Sequence, residues 1–479
     1  MDASVVLSAL GSLTAPMVAW RSPRRKSSGR AGIAAPLAAC YLRGTVRRFL
    51  YLTPYFPPMT RVGAMRPLKF VRHLPRHGWS PVVLCDLHRV DDVSEKLLDF
   101  VPAETVVIRD YGPSAASSER SFERGELTLQ AGEDDTPRFL GVDPDWVVLP
   151  HAIRATRRAL AKHPECEAIM VNADPYATML VGARLARWTG LPLILDLRDP
   201  WAWCSLRRAR RSWVERRFLD FMERRVFSQA DAVILNTRTA LDDYLPHYTD
   251  LGSERFHVIR NHGDPDLMSG GVPHEHDRFT ILFMGRFRRY VEGTEVVDAL
   301  ARVRQQGITG AELQLLVSGD LPESLLELAE ARGVADMLKR HPFVPYNEIG
   351  TFMDSADLLL AVSNATAQRV PAKIYDYATT RRPILVVADN PELAGMMEQL
   401  GGAEVLAMSD VEGLADAIVR AFRAGRGREV ERADLDLGSA AATAKLAGIL
   451  DSVTSRSVVS AAGGAVGSTT LERVEQRRQ

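Results

Sequence analysis

Residues Val370 to Val387 read VPAKIYDYATTRRPILVV. The pattern predicts a short helix opening at Pro371, a turn, and an apolar strand from Ile384 to Val387. A helix leading into a wholly apolar strand is the unit from which a buried parallel sheet is built. Proline suits the first helical position, where its missing N–H has no partner to lose. The helix carries Lys373 and Asp376 three residues apart, on one face. A lysine in a first turn meets the positive end of the helix dipole, which is unfavourable unless an anion lies nearby. Helix N-termini also attract phosphate through their free N–H groups. The stretch therefore reads as an α/β element with an anion site at its start, suited to a sugar diphosphate.

The same alternation runs outward from it. Apolar runs at Arg48–Thr53, Pro81–Cys85, Thr105–Ile108, Ala168–Asn172, Leu191–Asp196 and Ala232–Asn236 read as buried strands with helical stretches between them. A second series follows at Phe279–Met284, Leu313–Val317, Lys339–Phe343, Leu358–Val362, Ile384–Val387 and Ala403–Leu406. Asp410–Ala424 has its apolar residues at helical spacing. Residues 263–277, rich in Gly, Pro, His and Asp, read as a linker. The expected organisation is an extension over 1–47, an α/β domain over 48–262, that linker, a second α/β domain over 278–435, a helix over 436–454 that could cross back to the first domain, and a disordered tail over 455–479. Residues 112–140, polar and irregular, read as an inserted loop. Two doubly wound domains of this kind place a cleft between the carboxyl ends of their sheets, where ligands bind.

Composition narrows the function classes. The chain has 479 residues, enough for two domains, and its 60 basic side chains are balanced by 60 acidic ones. Net charge therefore gives no argument for a nucleic-acid partner. Four cysteines are scattered without metal spacing, so structural zinc and disulfides are not called for, and a reducing cytosol fits. Val5–Trp20 is the longest N-terminal apolar run. It falls short of the ~20 residues of a spanning helix and lacks a preceding basic region. No P-loop or GxGxxG follows a strand, so ATP and nicotinamide chemistry lose support.

Charged residues cluster just after several strands. LPLILDLRDPW, ending at Trp201, leaves Asp196, Arg198 and Asp199 at a strand's carboxyl end, which is costly unless they are paired or face a cleft. In YFPPMTRVGAMR, from Tyr55, Gly63 could let backbone approach a ligand, and Arg61 and Arg66 could meet phosphate. In FMGRFRRYVEG, Gly285 ends a strand and Arg286, Arg288 and Arg289 follow, suited to forked contact with phosphate oxygens. Ser205–Val226 carries eight arginines with Trp213, Val214, Phe218, Phe221 and Met222, and reads as one amphipathic helix. It is either a solvated surface helix or a peripheral contact with an anionic membrane.

In these residues the chain resembles the family 4 glycosyltransferases, retaining enzymes of the GT-B fold. The pieces are YLTPYFPPMTRVGAMR, LILDLRDPW, ADAVILNT, VIRNHGD, FTILFMGRF and VPAKIYDYATTRRPILVV, in that order over roughly residues 48–452. The resemblance implies an α/β GT-B architecture, two Rossmann-like doubly wound domains facing a central cleft. It implies a nucleotide-diphosphate sugar donor on the C-terminal domain, an acceptor on the N-terminal domain, no permanently bound cofactor and no metal. By the same resemblance Arg286 and Lys373 would contact the diphosphate and Asp376 the nucleotide ribose. The chain departs from the family at Gln368 and Asp376, where a pair of glutamates is usual, at Val291 and Glu292, where a lysine is usual nearby, and at Arg198-Asp199, where many relatives have His-Asp.

The catalytic candidates are thus Arg198, Asp199, Arg286 and Lys373. The donor-binding candidates are Gly285, Arg286, Arg288, Pro371, Lys373, Asp376, Gly63 and Arg66. The expected function is transfer of a sugar, with retention, to a glycan or lipid-linked acceptor in cell-envelope or exported polysaccharide assembly. The expected site of action is the cytoplasm or the inner face of the membrane. The alternatives are a GT-B protein that binds a nucleotide sugar or a partner without turnover, and a nucleotide-sugar epimerase.

Overall fold

The computed structural model describes residues 46–86, 93–112, 148–173, 175–287, 292–363 and 368–456. The extension over 1–47, the inserted loop at 112–140 and the tail from 455 fall almost wholly outside the described residues, as do Arg288 and Arg289. From Arg48 onward the chain forms one compact unit.

Two sheets organise it. The first contains β1 (Arg47–Leu52), β2 (Trp79–Cys85), β3 (Val106–Arg109), β4 (Cys166–Ala173), β5 (Leu193–Leu197), β6 (Ala232–Leu235) and β7 (Phe256–Val258), in the order β3-β2-β1-β4-β5-β6-β7. The second contains β8 (Phe279–Arg286), β9 (Leu313–Asp320), β10 (Leu338–His341), β11 (Leu358–Ser363), β12 (Ile384–Ala388) and β13 (Ala403–Leu406), in the order β10-β9-β8-β11-β12-β13. The strands run parallel, β4 with β5 and β8 with β9 among them. Both orders contain the doubly wound 3-2-1-4-5-6 arrangement, which opens a crevice where the first and fourth strands meet. Each apolar run read from the sequence is a strand, shifted by up to three residues at its ends. β7 has no counterpart among the expected strands, because its three residues include His257 and make no apolar run.

Helices cover both faces, which is why the strands are apolar on both sides. β11, for instance, shows no alternation between inward and outward positions, and all six of its residues are buried. The helix over residues 439–456 packs Ala442, Leu446, Leu450 and Val453 into the core built on Phe49, Tyr51, Met170 and Ile194 of the first sheet. The chain therefore crosses between lobes twice. The crossings lie side by side, since Gly263 and Gly438 form an isolated parallel bridge.

The arginine-rich stretch is two helices, Ser205–Ala209 and Trp213–Phe227, and not one. Ser212 breaks it by capping the second helix. Its side chain accepts from the Glu215 N–H while Glu215 returns a bond to the Ser212 backbone, the reciprocal pairing that fixes a helix start.

Candidate active site

A cavity of about 480 Å³ lies between the lobes. Its walls come from the carboxyl ends of both sheets. Met284 and Gly285 at the end of β8 and Ser363 at the end of β11 bring the switch point of the second sheet to it. Arg198 and Asp199 after β5 and Asn236 after β6 close it from the first.

Lys373 stands on the helix Ala372–Tyr377, with Pro371 as the N-cap and not the first helical residue. Six residues give a short helix, so the expected dipole contribution is small and the positive charge here is that of the lysine. Tyr377 anchors this helix. Its hydroxyl accepts from the Met284 N–H at 3.1 Å and donates to the Leu360 carbonyl at 3.2 Å, tying it to β8 and β11. The Lys373 ammonium then lies 3.9 Å from the centre of the Phe283 ring. Gly285 leaves the space for it, since a Cβ there would stand 3.3 Å from Nζ. No carboxylate pairs with Lys373 among the described residues. The withdrawal of water pulls its pKa from 10.5 down to about 7. Burial without a counter-ion disfavours the charged form of an amine, which is why the shift runs downward.

Asp376 lines the same cavity. Its Oδ1 accepts from the Tyr346 hydroxyl at 2.9 Å and from Lys69 Nζ at 3.4 Å, so a lysine of the first lobe reaches a carboxylate of the second. Oδ2 has no hydrogen-bond partner among the described residues. Burial raises the pKa of this carboxyl, opposed by Lys69.

Asp199 is held by Arg369, a residue the sequence reading did not single out. The arginine fork meets the carboxylate at 2.9 and 2.8 Å across the cleft. Burial works against the Asp199 charge, but Arg369, Arg207 and Arg198 together keep its pKa below the ordinary carboxylate value. Arg198 also lines the cavity, seated against Gly63, where a Cβ would stand 2.5 Å from its Nη1. Gly63 thus makes room for Arg198 and for the Tyr55 ring, and is not itself a cavity wall, a correction to its expected approach to the ligand.

Two further expectations are corrected. Arg66 lines the cavity, but its guanidinium is closed on Asp196 at 2.8 and 2.9 Å and on the carbonyls of Ile259 and Arg260. With four of its five N–H donors committed to the first lobe it braces that lobe, and no more than one Nη1 donor is left for a ligand. Arg286 is exposed and does not form part of the cavity wall, because β8 emerges from the cover of the sheet at Gly285. Of Arg286 and Lys373, Lys373 lines the cleft and Arg286 does not. Gln368 is buried and turned into the lobe interface. Its amide accepts from Ser205 N–H at 2.9 Å and donates to the Trp203 carbonyl at 3.0 Å and to Asp243 at 2.7 Å. Arg288 lies outside the described residues. Among the described residues no group of three or more His, Cys, Asp or Glu is placed to hold a metal.

Residues 64–262 match a family model described as a glycosyl transferase 4-like domain, and residues 278–424 match one described as glycosyl transferases group 1. No curated protein sequence gives a match. Among solved structures the chain is similar to sucrose-phosphate synthase from Thermosynechococcus elongatus, with a TM-score of 0.55 at 13% identity over 89% of this chain and 100% of that one. It is similar to WaaG, a glycosyltransferase involved in lipopolysaccharide biosynthesis, with a TM-score of 0.51 at 17% identity over 78% and 90%. A putative UDP-N-acetylglucosamine 2-epimerase from Listeria monocytogenes gives a TM-score of 0.54 at 13% identity over 85% and 96%. At these identities the likeness carries the fold and not the substrate.

Proposed function

The chain belongs to the GT-B glycosyltransferases, and from that premise we propose that it moves a hexosyl group from a nucleotide-diphosphate sugar to a glycan or lipid-linked acceptor, with retention, in cell-envelope or exported polysaccharide assembly. One observation carries the donor half of this reading. Lys373 is a sheltered cation without a carboxylate partner among the described residues, set in the wall of a cleft large enough for a nucleotide sugar. As the glycosidic bond breaks, negative charge grows on the leaving diphosphate. A fixed ammonium in a water-poor site stabilises that charge more than water would, and it needs no reorganisation at the moment of reaction. Arriving phosphate restores the proton that desolvation has loosened from Lys373. Asp376 takes the ribose through Oδ2. Asp199, fixed in place by Arg369, and Arg198 beside it flank the reacting sugar from the acceptor side.

A second reading, a nucleotide-sugar binder without turnover, is favoured by Gln368, whose uncharged side chain serves the lobe interface where the family resemblance leads one to expect a glutamate. Thermal-shift screening with nucleoside diphosphates and their sugars tests the donor site, because a ligand bound only by the folded chain raises apparent stability with its affinity. Transfer assays against glycan and lipid-linked acceptors then separate the two readings. A stabilising nucleotide sugar that is transferred supports the enzyme, and one that is neither transferred nor hydrolysed supports the binder. The absence of any stabilising nucleotide contradicts both.

A further inference from the structure

The arginine-rich region leaves an unexplained surface. The helix Trp213–Phe227 buries Leu219, Met222, Val226 and Phe227 against the first lobe. Its outer side is not polar. Trp213 is 74% exposed, Phe221 58% and Val214 48%. Arg217 and Arg224 are exposed on the same helix. With about 3.6 residues per turn, these five side chains fall within a stripe roughly 100° wide. Single exposed apolar residues are ordinary, but a tryptophan, a phenylalanine and a valine sharing one outward stripe mark an interaction surface.

The charges on and around the stripe identify the partner. Glu215 is turned back onto Ser212 as a cap, and Asp220 is paired with Arg208 at 2.6 Å. Asp250 is taken by Arg224 at 2.8 Å. Arg217, in the middle of the stripe, has no carboxylate partner among the described residues. The acidic groups are thus already engaged, and the outward face is left apolar with a basic excess. That combination complements a surface that is apolar beneath an anionic layer.

We propose that the outer face of Trp213–Phe227 docks onto an anionic lipid bilayer. Trp213, Val214 and Phe221 enter the boundary between headgroups and acyl chains, and Arg217 lies among the lipid phosphates. The preceding helix places Leu206 in the cavity wall. Seven residues separate Leu206 from Trp213, so the docked face begins at most about 25 Å along the chain from the cleft. An acceptor held in the bilayer would then be presented close to the site. The docking surface shares no residue with the donor site and stands or falls independently of it.

Flotation of the full chain with phosphatidylglycerol–phosphatidylcholine vesicles tests this, against vesicles of phosphatidylcholine alone. The protein should float with the anionic vesicles and not with the neutral ones. Trp213→Ser with Phe221→Ser, and separately Arg217→Glu, should each lower binding about tenfold or more, as expected when interfacial anchors or a juxtamembrane charge are lost. Each substitution is on an exposed face, so the melting temperature and the nucleoside diphosphate shift should stay those of the unsubstituted chain. Equal flotation by the variants, or no flotation of the unsubstituted chain, would overturn the proposal. A dimer in sedimentation that the double substitution dissociates would also overturn it, by assigning the face to a second copy.

Discussion

Arg369 and Asp199 meet across the cleft as a fork on a carboxylate, at 2.9 and 2.8 Å, joining the loop before Pro371 to the loop after β5. Forked pairs are the stronger and more directional kind of ion pair. The Asp199 and Arg369 side chains keep 17% and 33% of their surface, so water softens the pair without dissolving it. Asp199→Asn and Arg369→Met should each cost roughly 1–3 kcal/mol, less than a fully buried pair would. The double variant should recover about 1 kcal/mol or more of the summed loss. Denaturant titration of the four chains measures this, and strict additivity would show that the two groups are not coupled.

Gln368 invites a tempting restoration, since the family resemblance leads one to expect glutamate there. Gln368→Glu should instead destabilise the chain. It replaces two donated bonds, to Trp203 and Asp243, with a carboxylate facing an acceptor and another carboxylate. Leaving buried polar partners unmatched costs on the order of 1–3 kcal/mol before charge repulsion is added. A variant with unchanged melting temperature and raised transfer would contradict the inward placement of this side chain.

Gly285 adopts φ +125°, a conformation side chains rarely take, and any Cβ there crowds Lys373 Nζ at 3.3 Å. Gly285→Ala should cost roughly 1–3 kcal/mol in backbone strain. It should also weaken nucleoside diphosphate binding by displacing the ammonium. Calorimetry on the folded variant separates the second effect from the first.

Lys373 makes stability and binding depend on pH with calculable signs. Its folded pKa, about 7, lies below the 10.5 of an exposed lysine. Between those values the unfolded chain holds a proton that the folded chain lacks, so this group makes stability rise as pH rises from 7 toward 10.5. Binding has the opposite sense. An anion beside Nζ lifts the pKa of the complex, so complex formation takes up a proton and affinity falls by up to about tenfold per pH unit above roughly 7. The difference between the unsubstituted chain and Lys373→Met isolates both effects from the ligand's own titration. Calorimetry at about pH 8, in buffers of different ionisation enthalpy, should show proton uptake only in the unsubstituted chain.

The sheets were legible because strands covered on both faces are apolar along their whole length. Lys373 was legible because a lysine in a first turn lacks a local reason to be there. Arg369 was not, since its partner lies 170 residues away and only the closing of the lobes brings them together. Arg66 and Asp196 share that distance problem, being 130 residues apart. Each looks like a cleft charge alone, and only the fold shows them neutralising one another. The break at Ser212 was written as Ser-Trp-Val-Glu, a capping signature, but the arginines on both sides are good helix formers and hide it.

The central claim is that the Lys373 ammonium receives the diphosphate of the donor. Isothermal titration of the most stabilising nucleoside diphosphate into the unsubstituted chain and into Lys373→Met, at a pH just below the lysine's pKa of about 7, tests it directly, because the lysine is then mostly charged. A charge-assisted contact in a sheltered site predicts a loss of roughly tenfold to a hundredfold in affinity for the methionine variant, with its melting temperature retained. Equal affinity in the two chains would contradict the claim and move the donor's diphosphate away from this helix.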